Sequence, residues 1–480
     1  NAVDQPEDED AVSRLVVFSN RLPLGSSPSG GLVVALGRTM EQRGGVWIGA
    51  TPGKSGTGQH TLQSYEGASF DRHALHLPEG EYNDYYLGYS NSVLWPLFHG
   101  RTDLLDVEEG QLAAYSSVNR KMAEASVNLI QEGDVIWIHD YHFIPLAAEL
   151  RKLGVNNPIG FFLHTPFPSS NNVRAMSHKE FLLDWLAAYD LVGLQTQRDV
   201  SALIEVCRAT FGGRLLSDGR IRCKGQDIWA ASFPIGIDAE TFRQTAETQE
   251  MTSPRIDPGQ KLLIGVDRLD YSKGLPHKFR GFQRFLEDQD SESERLTLLQ
   301  IASPTRENVE AYQDIRRQLE QLSGEVNGEF AELGYMPIQY IHRAVPRDYL
   351  AGLYRRAAIG LVTPLIDGMN LVAKEYVTAQ DSSDPGVLIL SESAGAAEQL
   401  GIGALTVNPF DLSSIAGAIR KAVAMPLTER IERHQAMWDE ISLHDVYWWT
   451  ETFLNRLDKN ASSRRKRSRS IADLETMLRG

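Results

Sequence analysis

Two basic side chains follow a short apolar segment in the second half of the chain. Residues 261–266 read KLLIGV, the pattern of a buried parallel strand, and Arg268, Lys273 and Gly274 come directly after it. Open α/β sheets bind ligands at the carboxyl ends of their parallel strands. Arginine offers a planar fork that matches phosphate oxygens, and lysine offers a compact point charge. The spacing predicts a phosphate-binding turn, with two solvated loop cations as the alternative.

A second segment supplies free backbone amides and a carboxylate. Residues 359–363 are again typical of a buried strand, and Gly368 provides a backbone position with a free choice of φ. A helix is predicted from Met369 onward. Its first amides lack internal partners, so the turn at 367–370 is a candidate anion site. Glu375 is expected about two turns into this helix, where it can accept two hydrogen bonds from a ribose diol. Together the segments predict a site for a nucleoside diphosphate leaving group.

Short apolar segments alternate with amphipathic ones, which is typical of a parallel α/β fold. Strands are predicted at 15–19, 135–138, 159–163, 191–194, 229–233, 261–266, 296–301, 339–341, 359–363, 387–391 and 404–407. Helices are predicted at 179–188, 306–322, 346–356, 370–380, 411–424 and 427–457, the last of them broken. A polar stretch with two prolines, 244–260, separates two series of strands and is the predicted linker.

Length and charge restrict the class of protein. At 480 residues the chain is too long for one ordinary core, so two domains are expected. The formal net charge of −15 should repel nucleic acid, and a nucleic-acid partner is therefore not predicted. Any phosphate site must be a local basic pocket within an acidic surface. The exception is the basic run SSRRKRSR at 462–469, for which a solvated, mobile tail is expected.

Other features argue for a cytoplasmic protein without a membrane partner. No apolar stretch approaches the ~20 residues of a membrane helix, and the acidic first residues do not resemble a signal peptide. Cys207 and Cys223 suit a reducing compartment, although a disulfide between them is the alternative. No metal-ligand spacing is present, so neither a metal nor a cofactor is predicted. A homo-oligomer is compatible with the sequence.

Nine extended stretches occur in the same order as in one enzyme family. They are SNRLP (19–23), GGL (30–32), NDYYLGYSNSVLWPLFH (83–99), VIWIHDYHFIPLAAELR (135–151), IGFFLHTPFP (159–168), VDRLDYSKGLP (266–276), AYQDIRRQLE (311–320), DGMNLVAKEYV (367–377) and NPFD (408–411). They resemble the trehalose-6-phosphate synthase family, retaining glycosyltransferases that move glucose from a nucleotide sugar such as UDP-glucose to glucose 6-phosphate. The match runs from about Leu15 to Leu457.

The resemblance implies two Rossmann-like domains facing a cleft, the arrangement called GT-B. The domain boundaries then follow from the predicted elements. We expect a disordered acidic tail at 1–13, an acceptor domain at 14–243 and a nucleotide-sugar domain at 244–440. A C-terminal helix at 441–458 would cross back to the first domain, and a basic tail would occupy 459–480.

The resemblance also implies how the acceptor is bound. Arg21, Tyr86 and Arg306 would hold the phosphate of glucose 6-phosphate. Trp95 would line the same pocket, and Asp140 would orient the acceptor hydroxyls. Without the family, Arg21 is as compatible with a loop salt bridge, and the aromatic residues with core packing. Arg306 is predicted to begin a helix after a strand, and we expect both arginines to be unpaired cations at the cleft.

On the donor side, the resemblance implies a glycine loop that closes on the nucleotide sugar, and main-chain groups that read the base. His164, which would otherwise be a core histidine, would contact the donor sugar, and Asp367 would hold its hydroxyls. The implied donor-binding residues are Gly30, Gly31, His164, Arg268, Lys273, Val345, Asp367, Gly368, Met369, Asn370, Leu371, Val372 and Glu375.

None of these residues would act as a covalent nucleophile in the family's chemistry. The acceptor hydroxyl attacks the face from which the nucleotide leaves, and the departing phosphate accepts the proton. Catalysis then depends on positioning and on stabilising the charge that builds on the phosphate. Asp140, Arg268 and Lys273 are the predicted catalytic residues.

Two other functions remain compatible with the sequence. One is a sister transferase that makes another phosphorylated glucoside, such as glucosylglycerol phosphate. The other is a catalytically silent, regulatory homologue, against which the intact motifs argue. A pyridoxal-phosphate glycan phosphorylase would share the fold but lacks these stretches. The chain departs from the family pattern at Ile366, where arginine is usual, and at 171–173.

Overall fold

The computed structural model describes residues 13–24, 31–53, 61–65, 69–249, 261–289, 295–307 and 309–479. Side chains are described for all of these except residues 31, 32, 34, 35 and 467–479. Gly30 and most of the predicted acidic tail therefore lie outside the described residues.

The strands alternate with helices along the chain, as a parallel α/β fold requires. They are β1 (Leu15–Phe18), β2 (Val46–Pro52), β3 (Leu62–Tyr65), β4 (Asp71–Leu77), β5 (Val135–His139), β6 (Ile159–Phe162), β7 (Leu191–Leu194), β8 (Arg214–Leu215), β9 (Arg220–Cys223), β10 (Gln226–Ser232), β11 (Lys261–Arg268), β12 (Leu296–Ser303), β13 (Ile338–Ile341), β14 (Ile359–Val362), β15 (Val387–Ser391) and β16 (Leu405–Val407).

The helices are of ordinary length except the last. They are α1 (Gly31–Arg43), α2 (Glu79–Asn83), α3 (Trp95–Phe98), α4 (Gln111–Ser126), α5 (Leu146–Lys152), α6 (Ser170–Arg174), α7 (Lys179–Ala187), α8 (Gln197–Phe211), α9 (Ala239–Thr248), α10 (Leu275–Glu287), α11 (Glu310–Phe330), α12 (Arg347–Arg356), α13 (Leu371–Ala379), α14 (Ala397–Leu400), α15 (Leu412–Val423), α16 (Leu427–Leu443) and α17 (Val446–Arg479). A π-helix, Asp84–Leu94, joins α2 to α3.

Two sheets form among the described residues. The first has ten strands in the order β3-β4-β2-β1-β5-β6-β7-β10-β9-β8, and the second has six in the order β13-β12-β11-β14-β15-β16. All neighbours in the second sheet are parallel. In the first sheet, only β3, β9 and β8 run antiparallel to their neighbours. The predicted α/β fold with two parallel sheets is confirmed.

The central strands are apolar because helices cover both faces of each sheet. β1 reads LVVF, β6 IGFF and β14 IGLV, and each of their residues is buried. Such strands expose polar side chains only beyond their ends. The loops after the strands therefore carry the chemistry, as the sequence predicted.

Helix α17 follows the second sheet in the chain but packs on the first. Phe453 is fully buried and stacks on Trp137 of β5, with ring centroids 4.6 Å apart. Glycines in β6 and β7 make room for this ring, since a Cβ at Gly160 or Gly193 would approach Phe453 to 2.7 or 2.6 Å. Side chains of α17 thus join the end of the chain to the first sheet.

Several predicted boundaries were wrong. Strand β11 extends through Arg268, which therefore lies on the strand and not in the following turn. Helix α11 begins at Glu310, so Arg306 precedes it in a loop. Helix α13 begins at Leu371, which places Glu375 little more than one turn into it.

The predicted linker and tail also differ from expectation. The linker begins inside α9, and residues 250–260 lie outside the described part of the chain. Helix α17 continues through Arg479, so the described residues of the predicted basic tail are helical. Arg464 on this helix pairs with Asp190 at 3.2 Å.

Candidate active site

A cavity of about 400 Å³ lies between the two sheets. Its lining comes from the segments that follow β1, β5, β6 and β7 of the first sheet and β11, β12 and β14 of the second. Because all these strands are parallel to their neighbours in their sheets, their carboxyl ends face the same space. The topology, and not one contiguous motif, builds this site.

The turn after β11 holds a lysine against a carboxylate of the opposite turn. Gly274 has φ +63°, a conformation that favours glycine, and Lys273 immediately before it is buried. The Lys273 ammonium donates to Asp367 Oδ2, and Asn370 Nδ2 donates to the same oxygen at 3.0 Å. Burial would raise the pKa of Asp367, but Lys273 lowers it below its usual value. Asp367 is therefore an ionised acceptor at the cavity wall.

The sequence suggested that Gly368 is needed for its φ. The structure shows instead that glycine is required because two chain segments approach each other closely at this position. A Cβ at Gly368 would lie 2.1 Å from the backbone oxygen of His164, which follows β6 of the first sheet. Its φ is not positive. Any side chain at this position would push the two walls of the cavity apart.

Glu375 lies in α13 at the cavity and is paired with an arginine. Arg347 donates to Glu375 Oε1 from Nε at 3.1 Å and from Nη2 at 2.9 Å. Burial raises the pKa of Glu375, and Arg347 opposes this shift. Only Oε1 takes part in the pair. The second oxygen, Oε2, is the one left to accept from a ligand hydroxyl.

On the first-sheet wall, Arg21 pairs with a phenol. Its Nη2 donates to the Tyr86 hydroxyl at 3.3 Å, and no carboxylate in the described part of the chain lies within salt-bridge distance. Tyr86 belongs to the π-helix, a rare form that is concentrated at functional sites. Burial would raise the pKa of Tyr86, but Arg21 and Arg306 lower it. This wall has an excess of positive charge.

Two guanidinium groups lie over one tryptophan ring. Arg306 lies 4.1 Å and Arg268 5.2 Å from the ring centroid of Trp95. Both distances are within the range of cation–π attraction. Arg306 also contacts Asp270 at 3.5 Å, so the expectation that it is an unpaired cation was wrong. Trp95, in α3, thus lies against one cation at the end of β11 and another that follows β12 of the second sheet.

Asp140 and His164 follow adjacent strands and touch each other. Asp140 has φ +70°, unusual for a residue with a side chain, and its Oδ1 accepts from the His164 amide at 3.3 Å. Burial raises the pKa of Asp140 to about 6. Burial also lowers the pKa of His164 to about 3, so its ring is neutral at pH 7. The His164 Nε2 lies 3.1 Å from His139 Nδ1.

With this geometry established, known proteins offer a direct comparison. The sequence profile described as Glycosyltransferase family 20 matches residues 17–459. The trehalose-6-phosphate synthase of Sodalis glossinidius is 42% identical over 454 residues, which cover 93% of this chain and 96% of that protein. The chain belongs to glycosyltransferase family 20.

Solved structures of related proteins agree over nearly the full length. The alpha,alpha-trehalose-phosphate synthase (UDP-forming) from Burkholderia xenovorans, in complex with glucose-6-phosphate, is 42% identical with a TM-score of 0.88, covering 93% of this chain and all of that one. An E. coli structure bound with UDP-2-fluoro glucose is 39% identical with a TM-score of 0.86, covering 93% and 99%. The GT-B architecture expected from the resemblance is thereby confirmed.

The fold brings most of the predicted site residues of this family 20 member to one cavity. Those that line it are Arg21, Tyr86, Trp95, Asp140, His164, Arg268, Lys273, Arg306, Asp367, Met369, Asn370, Leu371, Val372 and Glu375. Gly31, Val345 and Gly368 are not among the lining residues within the described ranges. Gly31 begins α1, and Val345 precedes α12. Ile366 lies in the turn before Asp367 and is half-buried.

Sequence reasoning assigned no role to several of the lining residues, among them three aromatic or histidine side chains beside the predicted ones. His99, Tyr141 and His142 were part of quoted motifs but were assigned no role. His142 stacks between Tyr141 and Tyr86, with ring centroids 4.1 and 5.6 Å away. His99 lies beside Trp95, and its Nδ1 is 2.8 Å from the Trp95 carbonyl oxygen. The available signal was adjacency, since Tyr141 and His142 directly follow Asp140 in HDYH.

The described residues contain no cluster of three or more His, Cys, Asp or Glu that could hold a metal ion. None of the helices in the described ranges has the length and apolar character needed to cross a membrane. Cys207 and Cys223 are buried free thiols.

Proposed function

We propose that this chain transfers glucose, with retention of configuration, from UDP-glucose to glucose 6-phosphate, yielding trehalose 6-phosphate and UDP. The observation that carries the proposal is the pair of arginines on Trp95. Arg268 belongs to the donor motif and Arg306 to the acceptor set, and their guanidinium groups lie 5.2 and 4.1 Å from the centroid of the same ring. Two anionic substrates bound at these cations would meet at the centre of the cavity.

The donor would take over the ion pairs of the second-sheet wall. Its diphosphate would bind Arg268 and Lys273, and its sugar hydroxyls would bind Asp367, which the lysine would then release. The ribose diol would bind the free oxygen of Glu375. Met369 and Asn370 precede α13, and Leu371 and Val372 begin it, at a helix end where unpaired amides favour an anion.

The acceptor would occupy the first-sheet wall and reach across to Arg306, which follows β12 of the second sheet. Its phosphate would bind Arg21, Tyr86 and Arg306, and Trp95 would support the sugar ring. Asp140 would accept from an acceptor hydroxyl and so orient the attacking oxygen. Relatives have been solved in complex with glucose-6-phosphate and bound with UDP-2-fluoro glucose, which supports these two classes of ligand.

The reaction would then proceed on one face of the donor sugar. The acceptor oxygen forms a bond to the anomeric carbon while the bond from that carbon to the diphosphate oxygen breaks. The proton of the acceptor hydroxyl passes to the departing diphosphate. Arg268 and Lys273 stabilise the charge that develops there, which is the kind of electrostatic contribution that dominates many enzymes.

We infer a cytoplasmic reaction, which the two free thiols support, because thiols persist in reducing compartments. A sister transferase for another phosphorylated acceptor remains the alternative. The phosphate-binding residues would bind the phosphate of either acceptor. The two activities would therefore be distinguished by the part of the acceptor that is not phosphate.

A substrate panel tests the proposal. The purified chain is assayed with UDP-, ADP- and GDP-glucose against glucose 6-phosphate, glucose and glycerol 3-phosphate, and nucleotide release is followed. We expect the highest kcat/KM with UDP-glucose and glucose 6-phosphate. A preference for glycerol 3-phosphate would identify the sister activity, and no turnover with any pair would identify a silent homologue.

A further inference from the structure

Arg306 is held in an unusual way for an arginine at a ligand cavity. Its side chain is only 4% exposed, and its φ of +48° lies in the left-handed region that few side chains adopt. Backbone strain of this kind persists only where surrounding contacts enforce it. The contacts that hold the guanidinium are therefore expected to be specific.

A hydroxyl lies between Arg306 and its carboxylate partner. Arg306 Nη1 donates to the Tyr312 hydroxyl, which donates in turn to Asp270 Oδ2 at 3.0 Å. The direct distance from Nη1 to the same oxygen is 3.5 Å, longer than a good charge-assisted hydrogen bond. Arg306 Nη2 donates to the Tyr141 hydroxyl on the opposite wall at 3.0 Å. The guanidinium is anchored without a two-pronged carboxylate bridge.

Asp270 also accepts from donors other than Arg306. Its Oδ1 accepts from the Ser272 amide at 2.9 Å, within the turn that carries Lys273. Burial would raise the pKa of Asp270, but Arg306 and Arg268 lower it to about 2, so it stays ionised. A buried carboxylate in this position neutralises part of the charge of Arg306 and yet takes few of its N–H donors.

Arg306 therefore keeps unused donor capacity. A guanidinium has five N–H donors, and the Nε of Arg306 is buried without a hydrogen-bond partner among the described residues. An unpartnered, buried donor on a residue that lines a cavity indicates a ligand acceptor. Tyr312 itself is buried and is not a lining residue, so it would act only through the arginine.

We propose that Tyr312 and Asp270 are positioning residues for the acceptor, which set the Arg306 guanidinium so that its free donors meet the acceptor phosphate. The inference rests on the proposed function and deepens it. The tyrosine hydroxyl acts as a spacer. Without it, the arginine would move onto Asp270 and form the two-pronged bridge that consumes its donors.

The principal test is Tyr312→Phe, which removes the spacer and preserves the ring. Tyr335→Phe is the matched control. Tyr335 is also a buried tyrosine, and its hydroxyl donates at 2.8 Å to the carbonyl of Leu296, the first residue of β12. We expect Tyr312→Phe to raise the apparent KM for glucose 6-phosphate about tenfold. The KM for UDP-glucose and kcat at saturating acceptor should stay within about twofold, and the control should match the wild type.

A double-mutant cycle separates positioning from general stability. If Tyr312 acts through Arg306, then Tyr312→Phe added to Arg306→Ala causes no further rise in the acceptor KM. Additive effects would overturn the inference, and so would equal losses for donor and acceptor in Tyr312→Phe. Asp270→Asn serves as a second variant. An asparagine cannot accept from both the Ser272 amide and the Tyr312 hydroxyl in one orientation of its amide, so the same selective loss is expected.

Calorimetric titration of glucose 6-phosphate keeps this test independent of turnover. If the wild type binds glucose 6-phosphate but transfers no glucose, the proposed function fails, and the affinities of the Tyr312 and Tyr335 variants still decide the inference. If the wild type does not bind glucose 6-phosphate, both proposals are contradicted. Selective weakening in Tyr312→Phe alone supports the positioning role.

Discussion

The cations on the two walls of the cavity differ in their partners. On the second-sheet wall, Lys273 is paired with Asp367 and Arg347 with Glu375. On the first-sheet wall, Arg21 donates to the Tyr86 phenol, and no carboxylate in the described part of the chain lies within salt-bridge distance of it. The second-sheet wall thus carries two closed ion pairs beside Arg268, which forms no salt bridge among the described residues and lies over Trp95, and the first-sheet wall presents open positive charge at Arg21.

This difference separates two roles. A donor that binds to ion-paired residues must break those pairs and replace each lost contact with a new one. Its net affinity is therefore modest, and the new contacts can be strongest in the transition state. An acceptor that meets open charge gains affinity directly. We therefore expect substitutions on the donor wall to affect turnover, and those on the acceptor wall to affect the acceptor KM.

The largest effect should come from the donor cations. Arg268→Ala or Lys273→Ala should lower kcat about 100-fold or more, because each would stabilise the charge on the leaving diphosphate. Steady-state kinetics at saturating substrates measures this. Arg284→Ala, at an exposed arginine paired with Glu287 on α10, is the control and should behave as the wild type. Normal turnover in either cavity variant would remove that residue from the mechanism.

A smaller effect is expected at the ribose site. Glu375→Gln should weaken UDP binding by about 1.5–3 kcal/mol, the range for hydrogen bonds to a charged group. Isothermal titration calorimetry gives the value. A donor with deoxyribose should then lose little further affinity in the variant. A full additional loss would show that the diol is bound elsewhere.

Substitution of an acceptor-binding residue should change the apparent KM for glucose 6-phosphate. Arg306→Ala should raise the apparent KM for glucose 6-phosphate about tenfold, because one charge-assisted bond to the phosphate is lost. Slow hydrolysis of UDP-glucose without acceptor should hardly change, since Arg306 would not touch the nucleotide. Free glucose should be an equally poor acceptor for variant and wild type. Unchanged acceptor saturation would contradict the phosphate assignment.

The smallest effect concerns pH. Burial raises the pKa of Glu375, so this carboxylate takes up a proton at a higher pH than an exposed glutamate. A protonated carboxyl accepts fewer hydrogen bonds, and the KM for UDP-glucose should therefore rise as the pH falls through the raised pKa of Glu375. Arg347 and Tyr354, both on α12, are the ionisable groups that face Glu375. Arg347→Ala should move the rise to higher pH, and an unmoved profile would exclude this pair as its cause.

The two walls also differ in how far the sequence could predict them. Most of the donor residues lie in two short segments, at the end of β11 and after β14, so local pattern and turn chemistry indicated them. The acceptor residues are dispersed from Arg21 to Arg306, and only the resemblance to the family joined them. Aromatic residues such as Tyr86 and Trp95 have the pattern of core residues, because burial and ligand contact use the same side chains.

The other wrong or missing predictions also have physical causes, which differ from residue to residue. Arg306 follows a strand and precedes a helical pattern, which suggested a helix start, but its contacts hold φ at +48°. Gly368 was expected to supply a flexible φ, whereas the close approach of His164 is a tertiary fact that no local pattern contains. The pairing of Lys273 with Asp367 likewise joins segments far apart in the chain. The assignment of roles to the site residues stays a prediction.

Product analysis tests the central claim most directly. UDP-glucose and glucose 6-phosphate are incubated with the purified chain, and the anomeric protons of the product are followed by NMR alongside UDP release. The account predicts a 1,1-linked disaccharide phosphate with both anomeric centres α, and one UDP for each molecule formed. A β linkage, a product lacking the phosphate, or UDP release without disaccharide would contradict it.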